Sequence, residues 1–397
     1  MKKIHLIFIG CLITIKALSQ DTASPVFMIY GQVMTDMGYN FGQVNPLYFD
    51  VMRPTQLPAY KNEFGTDGST YFGVRQSSLG FKSITPTRYG ELKARFDFDL
   101  FGVGANAGQT TFHMLYAWVE LGKFAVGHNW SLFCDFDVFP NIVEYWGPSG
   151  MSLCKNVQFR YIPLQGATRL AFAIERPGAS ADEGVYQDRI ELTDVKPRFN
   201  LPDFSAELRI SRDWGYAELA SVIRKMEWVD QGMQPYDLSG KAMGWGFNMS
   251  SKIKLGTKDV FKGLAIYGEG IQNLMNDAPT DIGIQNDFGN TVSPVKGVAL
   301  PIASFMAYLD HSWNESFSSS VGYSLVQITN SDGQAADAYH KGQYASANLL
   351  YYPLPNLMAG AEVIWISRDN FKDGFHSSAT KIQVSVRYNF SHTLGKH

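Results

Sequence analysis

Apolar and polar side chains alternate one by one along many segments of this chain. The clearest segment is ELKARFDFDL at positions 91–100. Its even positions carry Leu, Ala, Phe, Phe and Leu, and each of its odd positions is charged. Successive side chains of a β-strand point to opposite faces. The pattern therefore predicts a strand that is apolar on one face and ionic on the other.

About sixteen such segments follow one another, and the turns between them alternate between short and long. Residues 122–123 and 314–315 form short turns, whereas 39–69 and 275–300 form long loops. An even strand number, short turns on one side and long loops on the other are typical of bacterial outer-membrane barrels. We predict an all-β fold, a transmembrane antiparallel β-barrel of about 16 strands. The predicted strands are 25–38, 70–83, 91–100, 110–121, 124–131, 156–163, 167–176, 204–211, 216–228, 245–254, 264–274, 302–313, 317–329, 341–352, 357–368 and 380–390.

A soluble β-sandwich would also alternate, with its apolar faces turned inward, so a secreted β-rich binding or adhesion protein stays open as an alternative. After residue 19, no apolar run reaches the roughly 18 residues that a transmembrane helix needs. Only helices and closed barrels satisfy every backbone hydrogen bond within lipid. If this chain enters a membrane, it does so as a closed barrel.

The first residues have the features of a secretory signal peptide. Lys2 and Lys3 precede a short apolar run, and Ala17 and Ser19 are the small residues that a signal peptidase recognises. We predict a signal peptide at 1–19 and a single barrel domain at 20–397, delivered to the outer membrane of a Gram-negative bacterium. Cleavage removes three lysines and no acid, which changes the formal charge from −3 to −6. A nucleic-acid partner is not expected, because it would need a concentrated basic face.

One long segment between two predicted strands has neither a helical nor a strand period. It covers about residues 132–155, and irregular inserts of that length are usually functional. We predict that it folds into the barrel as a constriction loop. Its acids, Asp135, Asp137 and Glu144, either oppose arginines of the wall or bind a cation. Calcium sites need six to eight oxygens, so no metal and no cofactor is predicted.

Two cysteines, Cys134 and Cys154, lie at the ends of this loop. In an oxidising compartment a disulfide between them would pin the loop. The sequence does not show whether their Cα atoms lie within bonding distance. Packed thiols are therefore the other interpretation.

The alternation also identifies charges that would point into a barrel. If Leu92, Phe96 and Phe98 face lipid, the charges between them face the pore. The predicted pore-lining residues are Lys93, Arg95, Asp97, Asp99, Arg160, Arg169 and Arg209, with Glu175, Glu207, Lys252, Lys254, Lys381 and Arg387 as further candidates. Opposed charges in a narrow pore create a transverse field that sets ion selectivity. The alternative is that these charges solvate a wide lumen and pair with one another. Arg75 has the wrong parity for this face.

Catalytic motifs are missing from the sequence. It contains neither His-Glu-x-x-His nor Gly-x-Ser-x-Gly. We therefore predict that the protein is not an enzyme. An outer-membrane barrel enzyme of the lipase type stays open as an alternative, and it would need a paired Ser and His on the rim.

Five segments are informative through their order and spacing. They are SSLGFK at 77–82, AWVELG at 117–122, GHNWSLF at 127–133, GPSG at 147–150 and VQFRY at 157–161. Together they resemble segments of the DcaP-like family of trimeric outer-membrane porins. The resemblance implies a sixteen-stranded barrel in the outer-membrane lipid, a homotrimer and a loop folded inward after the fifth strand. It also implies passive passage of small hydrophilic solutes, anions such as dicarboxylates in particular. Ser78 replaces an arginine of the family motif, and residues 391–397 extend beyond the usual terminal phenylalanine.

Overall fold

The computed structural model describes residues 25–177, 189–233 and 235–394, so the predicted signal peptide lies outside the described residues. It contains twenty strands and five short 3₁₀ helices. The strands are β1 (Val26–Asn40), β2 (Ser69–Gly73), β3 (Ser78–Thr87), β4 (Gly90–Phe101), β5 (Thr110–Leu121), β6 (Phe124–Trp130), β7 (Lys155–Leu164), β8 (Thr168–Glu175), β9 (Val195–Arg198), β10 (Asp203–Arg212), β11 (Gly215–Asp230), β12 (Gly240–Leu255), β13 (Asp259–Glu269), β14 (Ile282–Asn286), β15 (Val295–Ala299), β16 (Pro301–Ser312), β17 (Phe317–Ile328), β18 (Tyr339–Leu354), β19 (Leu357–Asn370) and β20 (His376–Leu394). The 3₁₀ helices are Pro46–Tyr48, Pro54–Gln56, Gly104–Asn106, Phe136–Val138 and Gln272–Leu274. Among the described residues, no helix has the length and apolar character needed to cross a membrane.

The strands form a closed antiparallel barrel with sixteen strand places. Strands β2 and β3 both pair with β1 and share one place, as β9 and β10 share the place beside β11. Strand β20 pairs with almost the whole length of β1, and this pairing closes the ring. Strands β14 and β15 form a separate hairpin inside the loop between β13 and β16. The predicted fold class is confirmed.

The apolar face of the barrel is its outer face. In β20 the apolar Ile382 and Val384 are about two-fifths exposed, whereas the intervening Lys381, Gln383 and Ser385 are buried. The same alternation recurs in β7, β11 and β12. A soluble sandwich would bury the apolar face instead, so the burial pattern excludes that alternative and indicates a barrel surrounded by lipid.

Two predicted strands are interrupted or displaced in the structure, and the predictions at 245–254 and 380–390 are shorter than β12 and β20. The segment predicted at 70–83 is interrupted at residues 74–77, between β2 and β3. The strand predicted at 264–274 is β13, Asp259–Glu269, which begins and ends five residues earlier. The prediction included the apolar Ile271 and Leu274, which lie beyond the end of β13 and pack inside the barrel. Strand β20 continues past Phe390 to Leu394, which pairs with Phe27.

Three loops at the same end of the barrel fold into its interior. They are residues 41–68, 131–154 and 270–300, and they share one apolar cluster with the inner wall. Met52, Phe133 and Ile271 come from these three loops, one from each, and all are fully buried. The sequence predicted 39–69 and 275–300 as long loops and an inward fold only for the second of the three loops, so the inward fold of the other two was missed. The apolar residues of these two loops are removed from water because they pack on the constriction loop.

Candidate pore and constriction

The constriction loop, residues 131–154, connects β6 to β7, the fifth and sixth strand places of the barrel. It matches the predicted span of 132–155 within one residue. Gly147 has a φ of +77°, and a Cβ there would lie 2.5 Å from the Phe139 ring. The Gly147–Pro148 turn therefore requires glycine, because other residues rarely adopt this backbone conformation.

Two carboxylates of the wall hold the backbone of this loop. Glu175 at the end of β8 accepts the Leu132 N–H at 3.1 Å, where the loop begins. Glu362 of β19 accepts the N–H groups of Val143 and Glu144, at 3.1 and 3.3 Å. A buried backbone donor needs an acceptor, and these two side chains supply it. Glu362 was missed by the sequence analysis, although its parity on β19 gives an inward position.

Glu144 joins the constriction loop to the loop of residues 41–68. Its Oε1 accepts the Met52 N–H at 3.0 Å and its Oε2 accepts the Gly147 N–H at 2.5 Å. The Lys381 Nζ lies 3.7 Å from the same carboxylate and donates to the Asp50 carbonyl at 2.9 Å. Burial raises the pKa of Glu144 above its ordinary value, and Lys381 opposes that shift. Glu144 is therefore an internal anchor of the loop.

Asp135 and Asp137 oppose an arginine of the wall. The Arg209 Nη2 donates to Asp135 Oδ1 at 2.9 Å, and its Nη1 donates to Asp137. Tyr216 and Ser250 donate to the other oxygen of Asp135, at 2.7 and 2.6 Å. These donors use the carboxylate oxygens that a cation would need. In the described part of the chain, no group of three His, Cys, Asp or Glu residues is placed to hold a metal ion.

Cys134 and Cys154 lie next to each other but carry thiols. The Cys154 N–H donates to the Cys134 sulfur at 3.2 Å. Both side chains are buried, and burial raises the pKa of the Cys134 thiol to about 12. Of the two interpretations of this pair, the structure contains packed thiols and not the disulfide.

The interruption between β2 and β3 places Arg75 inside the barrel. Arg75 pairs with Asp50 at 2.7 Å, and its guanidinium carbon lies 3.9 Å from the Phe101 ring centroid. The Tyr145 ring of the constriction loop stacks on Phe101 at 3.7 Å and donates its hydroxyl to Asp99 at 2.6 Å. The unexpected parity of Arg75 is thus explained by the broken strand.

Most of the other predicted charges also have partners. Lys93 pairs with Glu91, and both side chains are exposed. Arg169 pairs with Glu207. Asp99 contacts His113 at 3.0 Å. These pairs correspond to the alternative in which lumen charges neutralise one another.

A series of cations and aromatic rings follows the inner wall from β3 towards β7. The Lys82 Nζ lies 4.5 Å from the Tyr30 ring centroid. The Arg95 guanidinium carbon lies 3.5 Å from the Tyr116 centroid, and its Nε donates to the Tyr30 hydroxyl at 3.1 Å. Arg95 also pairs with Asp97 at 2.5 Å. Tyr30 therefore contacts two cations from neighbouring strands.

The series continues on β6 and β7. The Lys155 Nζ lies 4.0 Å from the Trp130 ring and 5.2 Å from the Tyr116 ring. Arg160 donates to the Trp130 carbonyl at 2.6 Å and lies 5.1 Å from the Trp118 ring. We call the four cations the cation–aromatic strip; they are Lys82, Arg95, Lys155 and Arg160. Within the described residues, Arg95 is the member that forms an ion pair.

Sequence reasoning missed Lys82 and Lys155 as members of this group. Lys82 lies opposite Arg95 in the register of β3 and β4, so strand parity could have identified it. Lys155 is the first residue of β7, and no periodic pattern marked it. Its approach to Tyr116 depends on how β6 and β7 enter the barrel.

The strip lies across the barrel from the main attachment points of the constriction loop. Lys262 of β13, Ser324 of β17 and Asn348 of β18 donate to the loop or accept from it. In the strand order, β13–β18 lie half-way round the ring from β4–β7. The loop therefore narrows the lumen from one side and leaves the cationic wall on the other.

A closed barrel with an apolar exterior, a polar inner wall and an inward-folded loop defines a porin-type channel of the outer membrane. The chain belongs to the family of DcaP outer membrane proteins, whose family model matches residues 11–390. The family and the matching structures below are channels and porins, not enzymes. No curated protein sequence matches this chain significantly.

Solved porin structures share the fold. The outer membrane channel DcaP of Acinetobacter baumannii matches with a TM-score of 0.76 and 18% identity, over 94% of this chain and 99% of that one. An anion-selective porin from Comamonas acidovorans matches with a TM-score of 0.58 and 13% identity, over 92% and 100% of the two chains. Salmonella typhi OmpF, in a complex with daunomycin, matches with a TM-score of 0.52 and 12% identity, over 92% and 97%. At these identities the likeness shows the fold alone.

Proposed function

We propose that this protein is a passive diffusion channel that favours small hydrophilic anions, with dicarboxylates as the solute class. The observation that supports this proposal is the cation–aromatic strip. Three of its members, Lys82, Lys155 and Arg160, have no carboxylate partner among the described residues. A solute that passes the constriction loop would therefore pass a wall whose positive charge is not neutralised by such partners.

The aromatic partners give the strip its physical effect. A ring face attracts a cation and holds it in place without neutralising its charge. Lys155 is held in this way between Trp130 and Tyr116. Fixed cations next to a low-dielectric wall raise the local concentration of anions. The net negative charge of the whole chain does not oppose this effect, because the selectivity of a narrow pore depends on the charges at the constriction.

Reversal potentials in a planar bilayer under a salt gradient would test the preference. The purified channel is expected to favour chloride over potassium. The variant Lys82→Gln/Lys155→Gln/Arg160→Gln is expected to lose most of that preference. The control is Lys252→Gln/Lys254→Gln, which removes cations of β12 on another part of the inner wall, and a smaller change is expected. Equal effects of the two variants would contradict the role of the strip.

The solute class can be tested by liposome swelling. Succinate is expected to enter liposomes that carry the channel faster than a neutral solute of similar size. The advantage should disappear in the variant of the three strip residues. If succinate and the neutral solute enter equally fast through the unmodified channel, the dicarboxylate preference is wrong even if a pore is present.

We also propose delivery by a cleaved signal peptide and assembly as a homotrimer. The supporting observations are the charged and apolar N-terminal segment and the resemblance to trimeric porins. Intact mass and N-terminal sequencing of the mature protein should give Gln20 as the first residue. Insertions into a bilayer should close in three equal conductance steps. A mature chain that retains residues 1–19, or single conductance steps, would contradict the respective part.

A further inference from the structure

The outer wall carries an apolar groove that the channel function does not explain. It crosses β7, β8, β10, β11 and β12 and has a volume of about 580 Å³. Ala206 of β10 and Ser221 of β11 are direct neighbours in the strand register, and these small residues form its floor. Its walls consist of larger outward-facing side chains. They are Phe159, Phe172, Phe204, Trp245 and Phe247. The groove is therefore open to the hydrocarbon of the membrane.

A band of cations lies on the same outward face, nearer the end of the barrel that carries the long loops. Arg176 follows Ile174 of the groove by two residues, and Lys225 follows Ile223 by two residues. Residues two apart on a strand share a face and are separated by roughly 7 Å. Each of these cations is thus the next outward position beyond the groove.

Neighbouring strands extend the band. Arg198 of β9 and Lys241 of β12 lie on either side of Glu227 of β11 in the register. Lys196 of β9 lies opposite Val229. We call this set the rim band. It consists of Arg176, Lys196, Arg198, Lys225 and Lys241.

Within the ranges that the structure describes, acidic residues do not balance the rim band. Glu227 is inside the band and pairs with Lys225. Glu269 of β13, opposite Trp245, lies at its edge. The band therefore keeps an excess of positive charge over four neighbouring strand places. At a strand spacing of about 4.8 Å, these places span roughly 14 Å.

The corresponding outward rim on the other side of the barrel is different. Lys341 of β18 faces outward beside β19, and its Nζ lies 3.7 Å from Asp369. Asp369 also contacts His376 at 2.6 Å. The charge of Lys341 is already compensated by Asp369, so Lys341 offers a matched control position for the rim band.

We propose that the groove and the rim band together bind lipopolysaccharide. The long-loop end of an outer-membrane barrel faces outward, and lipopolysaccharide forms the outer leaflet there. Its lipid A part carries two phosphates on a disaccharide, above several acyl chains. The rim band contacts the phosphates, and the groove takes one acyl chain. Basic side chains above an apolar surface recognise anionic lipid head groups in this way.

The experiment compares lipids on the detergent-purified, delipidated channel by native mass spectrometry. The probes are bisphosphorylated lipid A, monophosphorylated lipid A and phosphatidylglycerol. The unmodified channel is expected to bind the first at least tenfold more tightly than phosphatidylglycerol, with the monophosphorylated form in between. Similar affinities for all three would overturn the proposal, because one phosphate and any acyl chain would then suffice.

Two variants separate the contributions of the band and the groove. Arg198→Gln/Lys225→Gln/Lys241→Gln is expected to weaken lipid A binding at least tenfold. Ala206→Phe fills the floor of the groove and is expected to weaken it severalfold, with the preference for two phosphates retained. Lys341→Gln should bind as the unmodified channel does. A loss of binding in Lys341→Gln equal to that of the triple variant would overturn the assignment of the site.

A folding control uses the channel itself. All five substituted positions face away from the lumen, so single-channel conductance and the mobility of unheated protein in gels should be unchanged in the variants. A variant that fails this control is replaced by Arg198→Lys/Lys225→Arg/Lys241→Arg, which keeps the charges and should retain binding. Loss of binding in that charge-conserving variant would contradict the electrostatic role of the rim band.

Discussion

Glu362 of β19 accepts the backbone N–H of Val143 at 3.1 Å, so a carboxylate of the wall holds the constriction loop by its main chain. The second oxygen of Glu362 accepts the next N–H, that of Glu144. Asn348 donates to Glu362 and also to the Asn141 carbonyl, at 2.9 and 2.8 Å. The position of the loop is therefore set by side chains of β18 and β19 that bind its backbone.

The variant Glu362→Gln should loosen the constriction loop. An amide keeps one acceptor oxygen, so one buried N–H of the loop loses its partner at a cost of about 1–3 kcal/mol. Single-channel recordings should show more frequent conductance fluctuations than the unmodified channel. Asp369→Asn is the control, because Asp369 is partly exposed at the rim and does not contact the loop. Identical noise in the two variants would contradict the anchoring role of Glu362.

Removal of Arg209 should destabilise the protein through Asp135. The Asp135 side chain is completely buried and would keep the Tyr216 and Ser250 hydroxyls and the Asp137 N–H as donors, but no cation. A buried charge that loses its partner typically costs about 3–5 kcal/mol. We expect Arg209→Ala to lower the free energy of unfolding in lipid vesicles by about 3 kcal/mol. Urea titration measures this loss.

The second variant in that experiment is Arg209→Ala/Asp135→Asn. It removes the uncompensated charge of Asp135 together with the arginine, whereas the buried Glu218, which also pairs with Arg209, is unchanged. Part of the lost stability should return, because an amide is less costly to bury than a carboxylate. If Asp135→Asn lowers the free energy of unfolding of Arg209→Ala as much as it lowers that of the unmodified protein, the two residues are not coupled.

The thiols of the constriction loop should not react while the barrel is folded. The thiolate is the nucleophile, and burial raises the pKa of Cys134 to about 12. At pH 8 the folded protein is expected to resist maleimide labelling at Cys134 and Cys154, whereas heating in detergent should expose both. Mass spectrometry counts the labels. Rapid labelling of the native channel would show that the loop leaves the barrel interior.

Salt should weaken the anion preference. The Debye length falls from about 10 Å at 0.1 M salt to about 3 Å at 1 M. The cations of the strip act on solutes through the lumen, so their field is screened as ionic strength rises. Reversal potentials at a fixed salt ratio should move towards the non-selective value as both concentrations increase. A preference that is independent of salt would indicate a binding site that acts by direct contact.

The alternation of side chains was sufficient to predict most of the barrel. It identifies a transmembrane antiparallel fold, and the predicted strands agree with β4, β5 and β17 within one residue at each end. The reason is that each strand lies between lipid and a polar interior, so every second residue must be apolar. Apolar side chains can also face a protein interior instead of lipid. Ile271 and Leu274 do so, and the predicted strand that included them ends five residues beyond β13.

The sequence by itself determined the class of fold, the outward and inward faces of the strands and the place of the constriction loop. These properties depend on local periodicity, which each strand carries in its own residues. The tertiary structure decided which charges are neutralised, because partners such as Arg209 and Asp135 are 74 residues apart in the chain. It also decided that Lys82 and Lys155 join one strip, and that three loops fold into the lumen. Contacts of this kind depend on barrel closure, which brings distant strands and loops together and is not encoded in any single segment.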